Sequence, residues 1–368
     1  MNIPFNNLKL QYESIKNEID EAIKEVINNS EFILGKHVLE FEKNFAKLCD
    51  KKYAIGVNSG TNALILSLMA YDIKQGDEVI TVPNTFIATA SAIHHTGAKP
   101  VFVDINEKTY NIDPAKIEEK ITEKTKAIIP VHLYGQPADM EEIKEIADKH
   151  NLIIIEDACQ AHNSEYKNKK IPVSETGCFS FYPGKNLGAY GEGGMIVTDN
   201  EEIAEKTKLL RDHGQREKYV HDIIGFNNRM EGIQGAILNV KLKHLNEWTK
   251  KRRDRAKIYN RLLSGVIETP VEKNDRKHVY HLYVTRVKNR EKLMNFLKEK
   301  GIFTGLHYPI PIHLQKAFSF LNYGKGSFPV TEKFAGEILS LPIYPELNEE
   351  QIKYICDSIK EFYNKEFK

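Results

Sequence analysis

A series of short apolar runs, rich in Val and Ile, recurs through the first two hundred residues: ITVP (80–83), KPVFVDI (99–105), AIIPVHLY (127–134), LIIIEDA (152–158), CFSFY (178–182) and MIVTD (195–199). Patterns of helical period stand between the earlier ones, such as ATASAIHHTG and ADMEEIKEIADKH. A strand that is apolar along its whole length has both faces buried, and parallel strands need a crossover between them. The alternation therefore predicts an α/β fold with a mixed, mainly parallel sheet flanked by helices. Two helices precede it: NEIDEAIKEVINN places Ile19, Ile23, Val26 and Ile27 on one face, and another lies near VLEFEKNFAKLCD.

From about residue 231 the texture changes. EGIQGAILNVKLKHLNEWTKKRRDRAKIYNRLLSG reads as one long helix, followed by the alternating strand HLYVTRV, the helix REKLMNFLKEKG, a loop with several prolines and the terminal helix NEEQIKYICDSIKEFYNK. The 368 residues are too many for one small core. We expect a large domain with an N-terminal arm over residues 1–240 and a smaller α+β domain over 241–368.

Charge narrows the partners. Lys plus Arg number 52 against 51 Asp plus Glu, a net charge of +1, which gives no electrostatic reason to expect nucleic acid or an anionic membrane. The run KKRRDR (250–255) is broken by Asp254 and reads as a solvated helix face. Cys49, Cys159, Cys178 and Cys356 form no CxxC pair, so neither zinc nor a disulfide framework is expected; Cys159 and Cys178 read as small packed hydrophobes. The segment MNIPFNNLKLQYESIK has no apolar signal core, and no run approaches a membrane span, so the expected location is the cytoplasm.

Four places carry chemistry. In VNSGTNALILSLMA, Ser59-Gly60-Thr61 opens an apolar helix whose free N–H groups suit a phosphate, although plain N-capping, which needs no ligand, also accounts for it. In VPNTFIATA, Phe86 follows a short strand and could stack on a flat ring or simply fill a core. In IIIEDACQAH, Asp157 ends a strand, where α/β sheets collect ligands; it would face a cation or cap the next turn. In FSFYPGKNLGAYGEGGMIVTD a single lysine, Lys185, sits at a turn between two core strands with glycines around it; it is a nucleophile or a solvated turn lysine. A phosphate cup, a stacking ring, a carboxylate and an amine together describe pyridoxal 5'-phosphate. A dinucleotide-binding reading fails because GEGGM and NSGTN do not match GxGxxG.

The chain resembles the sugar-nucleotide aminotransferases of the DegT–StrS family, fold-type-I pyridoxal-phosphate enzymes, through NSGTNAL, PNTF, VHLYGQPADM, IEDACQAH, FSFYPGKNLGAYGEGG, IGFNNRMEGIQGAIL and LPIYPELNEEQI. The resemblance implies that Lys185 forms the internal aldimine, Asp157 pairs with the pyridine nitrogen, Gln160 bonds the phenolic oxygen and Phe86 stacks. Ser59, Gly60, Thr61 and Ser180 would hold the phosphate, joined by Asn227 from a neighbouring subunit, which implies a homodimer. It implies L-glutamate as donor and a keto-sugar nucleotide as acceptor. YPGKNLGAYG looks most like enzymes acting at C-3 of dTDP-3-keto-6-deoxyhexoses; the alternatives are C-4 amination, or a non-catalytic binding or regulatory protein on the same fold. Expected substrate contacts are Tyr12 in the Asn7–Tyr12 segment, His162, Tyr182, and His307, Tyr308 and His313 in GLHYPIPIHLQ. A metal held by His307 and His313 is disfavoured because no carboxylate or cysteine lies nearby in sequence.

Overall fold

The alternation of apolar runs becomes one twisted sheet. A computed structural model describes residues 1–366. Seven strands, β1 (Tyr53–Val57), β2 (Glu78–Thr81), β3 (Lys99–Phe102), β4 (Thr125–Ile128), β5 (Ile153–Asp157), β6 (Thr176–Ser180) and β7 (Gly194–Thr198), stand in the order β1-β7-β6-β5-β4-β2-β3. The pairs β3–β2, β2–β4, β4–β5 and β5–β6 are parallel; β7 runs antiparallel to both of its neighbours, β6 and β1.

Side-chain parity sorts the strand residues between two faces. Val79, Ala127, Ile155, Cys178 and Ile196 pack with helices α4 (Gly60–Ala70), α5 (Ala88–His95) and α7 (Glu201–Arg211). Their neighbours in sequence, Ile80, Ile128, Phe179, Met195 and Val197, pack on the other face with α3 (Gly35–Leu48), α6 (Met140–His150) and the first half of α8 (Gly232–Leu263). Helices α1 (Leu8–Ser14) and α2 (Lys16–Asn29) precede these, and Ile15, Ile19, Ile237 and Trp248 bury α2 against α8.

The helix α8 has 32 residues, about 48 Å of length at the standard rise. Its second half enters a separate core. Tyr259 and Leu263 of α8 meet Leu293 and Leu297 of α9 (Arg290–Glu299) and Ile352, Ile355 and Ile359 of α11 (Glu349–Glu366), over an antiparallel pair of strands, β8 (Tyr283–Arg286) and β9 (Ile338–Leu341). Ile3, from the beginning of the chain, is buried in this same core. Helix α10 (Pro329–Glu337) leads into β9, and Asp104, beyond β3, accepts hydrogen bonds from the backbone of Val330 and Thr331 at its start.

Several details differ from expectation. The run 127–134 is a strand only to Ile128: Pro130 cannot donate to a ladder, and Leu133–Gly135 turn with Tyr134 at φ 60°. The proline-containing loop conceals α10 and β9. The basic run of α8 is less a solvated face than a clamp. Arg252, 4% exposed, donates to the carbonyls of Tyr280, His281 and Ile343; Arg253 pairs with Glu272; Arg255 donates to the Leu347 carbonyl. Among the described residues no helix is long and apolar enough to cross a membrane, and the four cysteines are free.

Candidate active site

The parallel strands deliver their C-terminal ends to one place. Asp157 and Ser180 are the last residues of β5 and β6, and parity turns both toward the face carrying α4 and α5. Helix α4 starts there with Ser59 as its N-cap, whose hydroxyl accepts from the Asn62 amide. The turn after β2 brings Phe86, and the turn after β6 brings Tyr182 and Lys185, closed by the Lys185 amide on the Tyr182 carbonyl at 2.9 Å. These residues line a single cavity of about 760 Å³, with Gly60, Thr61, Gln160, His307 and Tyr308.

Chain segments approach closely around the start of α4. A Cβ on Gly60 would lie 2.5 Å from the Ser180 Cβ, and one on Gly194 would lie 2.2 Å from the Ser59 carbonyl oxygen. The absence of side chains there leaves the amides at the start of α4 open to an anion.

The cavity also brings a buried carboxylate and a half-buried amine together. Asp157 is 5% exposed. Its Oδ2 accepts from the Thr89 hydroxyl at 2.8 Å and its Oδ1 from the Cys159 amide at 3.2 Å, yet no cation lies at ion-pair distance among the described residues. Burial lowers the pKa of the Lys185 ammonium, opposed in part by Cys159 and Asp157, so a neutral amine is closer to hand than for a surface lysine. Gln160 is fixed as a donor into the cavity: its Oε1 accepts the Tyr134 amide at 2.7 Å, which leaves Nε2 to donate to the Tyr308 hydroxyl at 3.2 Å. Phe86, 52% exposed, presents its ring 5.8 Å from that of Tyr308. His307 stacks on Phe5 and shares a 2.9 Å contact with Ser340; burial, and then Lys185, lower its pKa to about 4.

Three expected residues lie elsewhere, and Asn227, expected to reach a neighbouring subunit's cavity, lies outside its own. His162 is fully buried on the opposite face of the sheet among Phe45, Phe179 and Phe181, where burial lowers its pKa to about 3. Its neighbours Phe179 and Phe181 have the parity opposite to Ser180, so this face is turned away from the cavity. His313, 2% exposed, is held by Glu332 at 3.1 Å, apart from His307. Tyr12 donates to Asp20 at 2.7 Å and sets its ring edgewise to Tyr190; from the N-terminal segment it is Phe5, Asn6 and Leu8 that line the cavity. Asn227 is exposed outside the cavity of its own chain and accepts from Arg229.

Sequence reasoning missed Thr85, Thr89, Glu192 and His281, all cavity-lining, and took Cys159 for a packed hydrophobe although it is half-buried in the cavity wall. Thr89 had a signal: it stands three residues after Phe86, in the first turn of α5. His281 had none, because the chain reaches the cavity from beyond the long helix.

A doubly covered sheet with a lysine and a carboxylate at its strand ends defines an α/β transferase of fold type I, the pyridoxal-phosphate class. The chain belongs to the DegT/DnrJ/EryC1/StrS aminotransferase family, whose signature matches residues 13–360 and whose members in general depend on pyridoxal phosphate. It is 49% identical to a pleiotropic regulatory protein of Geobacillus stearothermophilus, over 99% of both chains. It is 45% identical to a dTDP-3-amino-3,6-dideoxy-alpha-D-galactopyranose transaminase of Aneurinibacillus thermoaerophilus, over 98% of this chain and 99% of that one. The crystal structure of DesV from S. venezuelae, in complex with a ketimine intermediate, superposes with a TM-score of 0.97 at 42% identity, covering 98% of each chain.

Proposed function

We propose that this aminotransferase holds pyridoxal 5'-phosphate in the cavity and moves the amino group of L-glutamate to C-3 of a dTDP-linked 3-keto-6-deoxyhexose. One observation carries the reading: a buried carboxylate and a half-buried lysine amine, neither with an ion-pair partner among the described residues, line one cavity that also takes in a helix N-terminus. A buried charge without a partner is costly, and a ring with an aldehyde, a basic nitrogen and a phosphate would answer all three features.

In this reading the open amides at the start of α4, with the hydroxyls of Ser59, Thr61 and Ser180, take the phosphate. Asp157 holds the proton on the ring nitrogen, Gln160 Nε2 donates to the ring oxygen and Phe86 covers one face. When bound, the cofactor supplies an electron sink for carbanion character at the substrate carbon. Lys185 is the amine that anchors the cofactor and the base placed to move a proton at that carbon. Tyr182, His307 and Tyr308 line the side left for the sugar, with His307 neutral at physiological pH. The choice of C-3 and dTDP rests on the lysine loop and on the transaminase named above. The regulatory name of another relative does not displace catalysis, since lysine, carboxylate and cup are all present here.

A homodimer is part of the proposal. Asn227 lies outside its own cavity, in a segment that also exposes the apolar side chains of Tyr219 (80% exposed) and Ile224 (93% exposed), a surface suited to a second copy. Sedimentation showing only monomer at micromolar concentration would remove this part.

Purified with the cofactor, the protein should be yellow; borohydride should fix one cofactor to Lys185, and Lys185→Ala should take no such label. Incubation with L-glutamate and either C-3 or C-4 keto-sugar nucleotides, with NMR of the product, should locate the new amine at C-3. An amine formed only at C-4 overturns the regiochemistry; a protein that takes up no cofactor overturns the enzyme reading.

A further inference from the structure

Asp157 receives a directed chain of hydroxyls. Thr89, 1% exposed in the first turn of α5, donates to Asp157 Oδ2 at 2.8 Å. Thr85, 4% exposed in the turn before that helix, stands 3.2 Å from the Thr89 hydroxyl. A threonine has one O–H, and that of Thr89 is spent on a carboxylate that can only accept. Thr85 is therefore the donor between the two, and the chain runs Thr85 to Thr89 to Asp157. Both hydroxyls are removed from water, and donors in such a chain strengthen one another. The same carboxylate takes the Cys159 amide on Oδ1.

We propose that Thr89, backed by Thr85, is a positioning residue for Asp157: it orients the carboxylate and holds its negative charge, so that a proton shared with a basic ring nitrogen rests on the nitrogen. The proposal rests on the reading that Asp157 faces the cofactor's ring nitrogen. A hydrogen bond given to a carboxylate favours its charged form. Without it the carboxylate's negative charge is less well held, the shared proton moves toward oxygen, and the ring withdraws electrons less well. The Thr89 hydroxyl is spent on Asp157, so its loss should alter the ring nitrogen more than phosphate or substrate binding.

The test uses holoenzyme reconstituted with pyridoxal phosphate labelled with 15N in the ring. Thr89→Val keeps the shape and removes the donor; Thr89→Ser restores it. In Thr89→Val the ring-nitrogen resonance should move toward its unprotonated position, and kcat should fall about tenfold, the order expected for one hydrogen bond to a charged group, with KM for L-glutamate changed less than about threefold. Thr89→Ser should recover both readouts. Thr85→Val, which leaves Thr89 in place, should shift the resonance the same way by a smaller amount, and it decides the matter if Thr89→Val does not fold. A wild-type ring-nitrogen signal in Thr89→Val, or in Thr85→Val where that variant decides, overturns the proposal, as does equal loss in Thr89→Val and Thr89→Ser. Asp157→Asn separates the underlying reading: if it binds cofactor with the wild-type ring signal, Asp157 is not the nitrogen's partner and the role of Thr89 falls with it.

Discussion

Position 60 shows how tightly single residues define the site. An added methyl would meet Ser180 Cβ at 2.5 Å and Cys159 Sγ and Ser180 Cα at 3.0 Å, two of these on the last residue of β6, which cannot move freely. Gly60→Ala should fold, since overpacking of this kind costs about 1–3 kcal/mol, but it should push the start of α4 away from β6 and raise the dissociation constant for pyridoxal phosphate about tenfold or more. Fluorescence titration of apoprotein checks it; wild-type affinity would mean that the cup is not the phosphate site. At this scale the sequence was most readable where a residue type is costly to bury. A lysine in a turn and an aspartate at a strand end stand out, and both line the cavity. Histidines mislead because they tolerate apolar company: His162 is one residue in a cluster of phenylalanines. Only strand parity, counted from Phe179 and Phe181, places it on the far face, and parity requires knowing where the strand ends.

At the scale of elements, the long helix α8 explains most of what was hidden. Its apolar stripe was legible, and the structure runs it from Gly232 to Leu263. What could not be read is that its charged residues are structural, because their acceptors are backbone carbonyls far along the chain and a carbonyl has no sequence signature. Lys241 is the extreme case. It is 1% exposed, donates to the Gly188 carbonyl at 2.7 Å, and lies 4.1 Å from the centre of the Tyr190 ring. Both contacts are on the loop that follows Lys185, which Gln234 also holds through the Tyr190 amide. Among the described residues no carboxylate balances the charge, and burial lowers its pKa to about 7. Removing an ammonium buried without a counter-charge relieves a desolvation cost of several kcal/mol, while the orphaned Gly188 carbonyl costs about 1–3 kcal/mol. Lys241→Met should therefore be of equal or slightly greater stability in urea unfolding at pH 7. A loss of several kcal/mol would show that the clamp on the lysine loop outweighs the desolvation of the ammonium.

For the molecule as a whole, these buried groups set how stability depends on pH. His162 and His278 have pKa values lowered by burial to about 3, and His307 to about 4, from 6.5. Between those values and 6.5 the unfolded chain binds protons that the folded chain refuses, so stability is lost as pH falls below 6.5, by up to about 1.4 kcal/mol per pH unit for each histidine. Lys241 acts in the same direction over a higher window: from pH 7 to 10.5 the unfolded chain holds a proton that the folded one has released, so stability rises with pH. The cysteines oppose it. Burial raises the thiol pKa of Cys49, Cys178 and Cys356 above 9.0, so beyond pH 9 the unfolded chain releases protons that the folded chain keeps, and stability falls again. The maximum should lie between about pH 7 and 9, with a steep acid side, because three histidines acting together over two units approach the 5–15 kcal/mol that holds a typical domain. Calorimetric Tm values from pH 4 to 10 test this on the reduced protein. In Lys241→Met the rise between pH 7 and 9 should flatten while the acid limb stays. A wild-type maximum at pH 5 would show that the histidines find partners as they charge.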